Sequence, residues 1–404
     1  MPRAVRHINE VRILDRLYRH GVSTRADLAR ELGLMRSTVG NLIAGLIEQG
    51  IVLETEVSGA HVAGKTGRPG QLLRLNARHA AFIGADIGVG HLSVVAVDLA
   101  GAVVCSRTVD CAVEVGAVEP VIERLAGLIE DVIAHLPPET TVQGLCLVAP
   151  GLVDADGVVL RAPVLGWQQV PLQRLVAERL GSKRLGSGLA IRTENDANAF
   201  AAATLHGPAA TPLAQALFVY LDAGVGGAIA NAGRLLRGHH GHAGEIGHIH
   251  LGERGFESRT AVPGSFESHV AREALLARWR HHGGNDGRGG TLDEVIAALA
   301  AGEPAAQRTA AEWAWWMGRG LAALVSVLDP GRIVLGGPLA ALFEPVRPAV
   351  LAAIAQHLPS PHALPAIEVS PLGRHACAIG GALGLHRDHL AVDERLVYGL
   401  GAAG

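Results

Sequence analysis

Disulfide bonds are the first thing this chain has little means to make. Its four cysteines, Cys105, Cys111, Cys146 and Cys377, are scattered and form no C-x-x-C pair. That excludes a disulfide-stapled scaffold and reads as buried thiols in a reducing compartment. Long apolar runs are missing too: none reaches the ~18–20 residues that a membrane span needs. The opening MPRAVRHINE carries charges with no apolar segment behind them, unlike a secretory signal. The expectation is a cytoplasmic protein with no membrane partner. A large net charge is also absent. The formal value is −3, so no overall field draws nucleic acid to the surface.

What is present is enough for two or three domains. The chain has 404 residues, 49% of them hydrophobic, and chains of that size divide into separate cores. Charge divides along the chain as well. Residues 1–78 carry 12 Lys and Arg against 7 Asp and Glu, which leaves 23 against 31 for residues 79–404. A basic head on an acidic body confines an anionic partner to the head.

Within the head, Ile8, Val11, Leu14 and Leu17 form one helical stripe over 8–20. Thr24, with Asp27 three residues on, is placed to cap a second helix that buries Leu28, Ala29 and Leu32 and stops at Gly33. Val39, Leu42, Ile43, Leu46 and Ile47 then repeat at helical spacing up to Gly50. Two strand-like runs follow, 51–57 and 71–75, joined by the glycine-rich, basic SGAHVAGKTGRPG. Three short helices and a hairpin make a winged helix-turn-helix. In such a head the second helix of the motif lies in the major groove and offers its early polar residues to base edges. Those are Arg36, Ser37, Thr38 and Asn41. Arg can hydrogen-bond guanine bidentately and Asn adenine. At the wing tip, Lys65 and Arg68 of KTGRPG suit a narrow minor groove or phosphate. The partner expected for this face is double-stranded operator DNA. The alternative is a three-helix interaction module with a solvated polar face. The segment TRADLARELGLMRSTVG resembles the winged-helix heads of bacterial sugar repressors.

From about residue 80 the texture changes to strands punctuated by glycine turns: 82–86, 93–98, 103–108 and 142–148, with a helix over 119–135. A strand at 189–193 runs into ENDAN (194–198), which opens a helix. LFVYLDAGVGGAIA repeats strand, glycine turn, strand. Duplicated meanders with helices between them suggest an α/β, two-lobed actin-like body. RHHGGNDGRGG (280–290) reads as a loop. Trp313, Trp315 and Trp316 sit on a helix over 303–328 and read as core or subunit interface.

Three motifs, APGLVD (149–154), ENDAN and GEIGH (244–248), make residues 80–390 resemble the ROK family of repressors, open reading frames and kinases. The resemblance implies a sugar kinase/ribonuclease H-like body. It gives Asp196 the place of the kinases' general base, and makes Asn195, Glu245, His248 and, from GSFE, Glu267 counterparts of the ligands to sugar hydroxyls. Several donors and acceptors around one small polyol suit groups that both donate and accept. The chain departs from the family in three ways. The phosphate turns DIGGTK and GTGxGG read DIGVGH (86–91) and DAGVGG (222–227), so Val89, Gly90, Asp222 and Ala223 oppose a nucleotide. The cysteines of the family's zinc site are Ser258, Thr260 and Ser265, poor ligands beside thiolates, although His239, His240, His242 and His250 crowd nearby. Val164 stands where a sugar-contacting Asn is common.

Taken together, the expectation is a DNA-binding regulator, a repressor of carbohydrate-related genes. A head over 1–78 is followed by a body over 79–404. One lobe spans about 79–197 plus 380–404, the other 198–379. A sugar or sugar-like effector binds between the lobes, without catalysis, cofactor or metal, in a homodimer or homotetramer. Two rivals are an active ATP-dependent sugar kinase carrying a DNA-binding appendage, and a constitutive DNA-binding protein whose body only dimerises.

Overall fold

Thr24 sets the start of the second helix as its spacing implies. Its side chain accepts from the Asp27 backbone N–H, and Gly33, in left-handed backbone, closes that helix of eight residues. The computed structural model describes residues 3–55, 71–111, 115–181, 189–208, 210, 214–252, 255, 261–287, 290–359 and 363–392. Helices α1 (Arg3–His20), α2 (Arg25–Leu32) and α3 (Arg36–Glu48) pack with strands β1 (Ser23–Thr24), β2 (Val52–Thr55) and β3 (Leu72–Leu75), in sheet order β1-β3-β2. One expectation needs correcting. The buried stripe of α1 is Asn9, Ile13, Leu14 and Leu17, while Ile8 and Val11 stay half-buried. A strict three-residue step drifts around a helix of 3.6 residues per turn, and the true stripe follows steps of four. The wing residues Lys65 and Arg68 lie outside the described residues.

The body begins with β4 (Ala80–Gly88), β5 (His91–Asp98) and β6 (Val103–Asp110), then α4 (Glu119–Ala134) and β7 (Thr141–Ala149). A small sheet of β8 (Leu152–Val153), β9 (Val159–Ala162) and β10 (Trp167–Val170) precedes α5 (Leu172–Leu180). Then β11 (Ala190–Asn195) leads directly into α6 (Asp196–His206). The second half runs through β12 (Gln215–Leu221), β13 (Val225–Asn231), β14 (Arg234–Leu235), α7 (Phe266–Val270), α8 (Arg272–His281), α9 (Leu292–Ala300) and α10 (Pro304–Leu328). It ends with β15 (Arg332–Gly336), α11 (Phe343–His357), β16 (Ala366–Val369) and α12 (Ala376–His389).

Two five-stranded sheets share one plan. In the first, order β11-β7-β4-β5-β6, β4 to β6 form an antiparallel meander while β7 and β11 join in parallel. In the second, order β14-β13-β12-β15-β16, β12 to β14 are antiparallel and β15 and β16 parallel. This is the duplicated α/β body that the strand–turn repeats imply. α12 lies on β4, β5 and β7, α6 lies on β12 and β13, and the two helices pack together between the sheets. Their contact depends on Gly380, where a Cβ would come within 1.6 Å of the Ala199 carbonyl oxygen.

The stretch Pro338–His357 is long and apolar enough to cross a membrane. Here it carries Glu344 and Arg347 and buries Phe343, Val350 and Ile354 in the core around the second sheet. Trp313 is fully buried and donates to the Val270 carbonyl at 2.9 Å, whereas Trp316 stacks on His269 at 3.4 Å and Trp315 is 36% exposed. Residues 280–290 are not one loop. Arg280 and His281 finish α8, and Gly284–Gly287 form a 3-10 turn. The glycines let the chain cover the Trp279 ring: a Cβ at Gly284 or Gly290 would fall 2.2 or 2.5 Å from it.

Candidate ligand cleft and nucleic-acid face

On α3, Val39, Leu42, Ile43 and Leu46 face the core, which turns Arg36, Ser37 and Asn41 out to solvent and leaves Thr38 half-buried. A helix of period 3.6 must present 37, 38 and 41 together when it buries 39, 42 and 46. The described face is therefore polar, exposed and free of acidic residues over its first turn.

In the body, Asn195, Asp196, Glu245, His248 and Glu267 all line one cleft of about 880 Å³. Asn195 and Asp196 arrive at the end of β11, where strand passes into helix. The Asn195 side chain accepts from the backbone N–H of Ala197 and Asn198, and donates to the Gly151 carbonyl and to Asp196 Oδ1, both at 3.0 Å. Its amide is spent on capping α6 and holding the APGLVD loop, so in this structure it positions Asp196. Asp154 of that loop turns the chain by accepting from the N–H groups of Asp156 and Val158.

Glu245 reaches the cleft because Gly244 has a positive φ of 102° and sits against β13, where a Cβ would lie 2.3 Å from the Gly227 carbonyl oxygen. Glu267 comes from the first turn of α7, whose N-cap is Ser265. His248 stands between the two carboxylates, with Nε2 3.6 Å from Glu245 and Nδ1 3.6 Å from Glu267. Burial pushes the Asp196 carboxyl up to about 7, helped by the neighbouring charge of Asp86. Burial also raises Glu245 and Glu267, with His248 pulling each back.

The polar groups here are acceptor-rich, concave and set around a small volume, which suits a polyhydroxylated ligand. Val164 forms part of the wall. Among the described residues, nine carboxylates and two arginines line the cleft, and both arginines are already paired, Arg237 with Glu194 at 2.6 Å and Arg192 with Asp388. Among the described residues, no lining arginine is left without a carboxylate partner.

The opposite end of the cleft holds the two glycine turns, and here the structure corrects one argument. The Asp222 carboxylate does not stand bare toward a nucleotide, because the Arg272 guanidinium pairs with it. Burial still raises the Asp222 carboxyl, while Arg272 lowers it. In the other turn the histidine packs back on the turn itself. The buried His91 ring lies 3.3 Å from Asp86 and against Gly88, where a Cβ would fall 2.0 Å from the ring.

Several contributors escaped sequence reasoning. Glu194, the first residue of ENDAN, is buried and accepts from both guanidinium NH groups of Arg237, from the Asn198 amide and from the Asn195 N–H. Arg237 and Arg272 lie 43 and 50 residues from their partners, so no local pattern announces them. Of the family's zinc positions, Ser265 spends its oxygen as the α7 cap, while Ser258 and Thr260 lie outside the described residues. Among the described residues no three His, Cys, Asp or Glu gather as metal ligands.

The ROK family profile matches residues 82–388. A putative xylose repressor from Caldicellulosiruptor sp. is 28% identical, covering 96% of this chain and 98% of that one. A solved ROK family transcriptional regulator, a homologue of the E. coli Mlc protein, superposes with a TM-score of 0.76 at 24% identity over 98% of both chains. A ROK family glucokinase from Streptomyces griseus, solved with glucose and AMPPNP, superposes with a TM-score of 0.64 at 26% identity. It covers 76% of this chain and 99% of its own. The repressor and the regulator thus match nearly the whole chain, and the glucokinase about three quarters of it.

Proposed function

This chain belongs to the ROK family, and from that membership we propose that it is a sugar-responsive transcriptional repressor whose cleft binds an uncharged sugar without phosphorylating it. The head, residues 1–78, reads operator DNA through Arg36, Ser37, Thr38 and Asn41, with Lys65 and Arg68 on the wing. The body, residues 79–404, carries the effector between a lobe of about 79–197 plus 380–404 and a lobe of 198–379, and pairs with a second copy so that two heads meet two half-sites. The observation that carries this reading is the pairing inside the cleft. Asp196, Glu245, His248 and Glu267 line the cleft as acceptors and donors suited to hydroxyl groups, while the described lining arginines, Arg192 and Arg237, are each held by a carboxylate.

A xylose-type pentose fits this chemistry and is the first sugar to test, given the repressor relatives. A ligand shifts operator affinity only through its differential affinity for the two states of the protein. The experiment is an operator-binding titration with and without xylose and other neutral sugars. A sugar-dependent change in operator affinity supports the reading, and indifference to every neutral sugar overturns it.

One observation favours a second reading, an active kinase. Asp196, with its carboxyl near 7, is poised as a general base would be at neutral pH. Against it stand the residues of the two glycine turns: Val89 and Gly90 in one and Asp222 and Ala223 in the other, with His91 packed on Gly88 and Arg272 on Asp222. Here Asp196 serves as an acceptor for a sugar hydroxyl.

A further inference from the structure

The helix that begins in the cleft ends at the head. α6 carries Asp196 in its first turn and His206 at its last residue, about 15 Å apart at the helical rise. Asn198, Ala202 and His206, spaced four apart on one face, line the cleft along that whole length. At the far end the His206 carbonyl accepts from the Tyr18 hydroxyl of α1 at 2.5 Å. The Tyr18 ring is held on two further sides. It lies 4.6 Å from the His386 ring of α12, and against Gly101 of the β5–β6 turn, where a Cβ would fall 2.6 Å away. His386 is fixed in turn by donating to the Leu99 carbonyl at 2.9 Å.

The same helix α1 grips the rest of the head. Arg12 donates to the Leu32 carbonyl at 2.8 Å, and Arg16 pairs with Glu31 at 2.5 Å, both on α2. Leu14 and Leu17 share one core with Val39, Leu42 and Leu46 of α3. A shift of the α6 C-terminus is therefore delivered to α1, and from α1 to the DNA-facing helix, through packed and hydrogen-bonded groups rather than through a linker. Burial holds His206 down to about 4, so this path carries position and not charge at neutral pH.

We propose that Tyr18 is the positioning residue through which the cleft reports to the head: its hydrogen bond to His206 makes α6 a lever between the effector and the recognition helix. The proposal rests on the sugar-responsive reading above and names the coupling contact within it. Coupling of this kind is a free energy shared by both sites and is reciprocal.

The test is Tyr18→Phe in the full chain, which removes one oxygen and keeps the ring. Operator affinity is measured with and without saturating xylose, and xylose affinity by calorimetry with and without operator. The expected result is xylose affinity of the DNA-free protein within twofold of wild type, but a xylose-induced change in operator affinity cut to less than a third. The effect of operator on xylose affinity should fall by the same factor. A Tyr18→Phe protein with the full wild-type change overturns the proposal. If the wild type ignores xylose, the sugar reading fails for that sugar, and the lever is read without it. Ala202→Leu crowds the groove beside His206, and hydrogen exchange of residues 12–20 should change when Tyr18 is present and not when it is Phe. An equal change in both backgrounds, or none in either, rejects the lever.

Discussion

The two ends of the cleft have been treated oppositely. At the end proposed for the sugar, Asp196, Glu245, His248 and Glu267 line the cavity. At the phosphate end, His91 lies back against Gly88 and Arg272 holds Asp222. A kinase needs both ends, because phosphoryl transfer is mostly positioning and charge stabilisation of the transferred group. A sensor needs one. On the proposed reading, Asp196 is kept for a sugar hydroxyl, while the two glycine turns have no phosphate to hold.

The largest expected effect lies at the closed end. Arg272→Ala leaves Asp222 buried and unpaired. Arg272 is about a third exposed, so the stability loss should sit near the low end for a broken buried pair, about 3 kcal/mol. Adding Asp222→Asn should recover most of it, and sugar affinity should hardly change. Thermal unfolding of the single and double variants checks this. A single variant as stable as wild type would mean that the ion pair does not close the turn.

Next comes the open end. Asp196→Ala and Glu245→Ala should each weaken sugar binding by about 1.5–3 kcal/mol, the range for hydrogen bonds to charged groups. Operator binding without sugar should stay near wild type. Calorimetry and operator titration separate the two quantities, and loss of operator binding itself would contradict the assignment. In the head, Arg36→Ala should relax base preference by about 1–3 kcal/mol at one position, read by selection from a random-sequence library. Unchanged preference would remove Arg36 from the reading face.

The smallest effect concerns pH. The folded Asp196 carboxyl, near 7, lies above its unfolded value of 3.8. Its protonation therefore favours folding, fully below the unfolded value, and that contribution is lost as pH rises through about 7. Sugar hydroxyls donate more strongly to the ionised form, so sugar affinity should rise between pH 6 and 8, and Asp196→Asn should flatten the rise. A wild-type affinity that falls over this range would contradict the role given to Asp196.

Much of this comparison was legible in the chain. Local signals are short in range: Thr24 and Asp27 announce a cap, the spacing of Val39, Leu42 and Leu46 announces a face, and ENDAN and GEIGH announce a family. Asn195, Asp196, Glu245, His248 and Glu267 line one cleft, with Asn195 also serving as a cap. What stayed hidden is what distant segments do to one another. Arg272 on Asp222, Arg237 on Glu194 and Tyr18 on His206 are separated by 50, 43 and 188 residues. A lone arginine or tyrosine carries no mark of its partner. The stripe of α1 was misplaced because Asn9, a polar residue, occupies an inward position that an apolar pattern cannot see.

The most direct measurement of the central claim places sugar, ATP and operator in one experiment. Purified full-length protein is titrated onto operator DNA with xylose, with and without Mg-ATP, while the same samples are assayed for sugar phosphate. The account predicts that sugar alone changes operator affinity, that ATP adds nothing and that no sugar phosphate forms. Sugar phosphate that accumulates with wild type and vanishes with Asp196→Ala would contradict it.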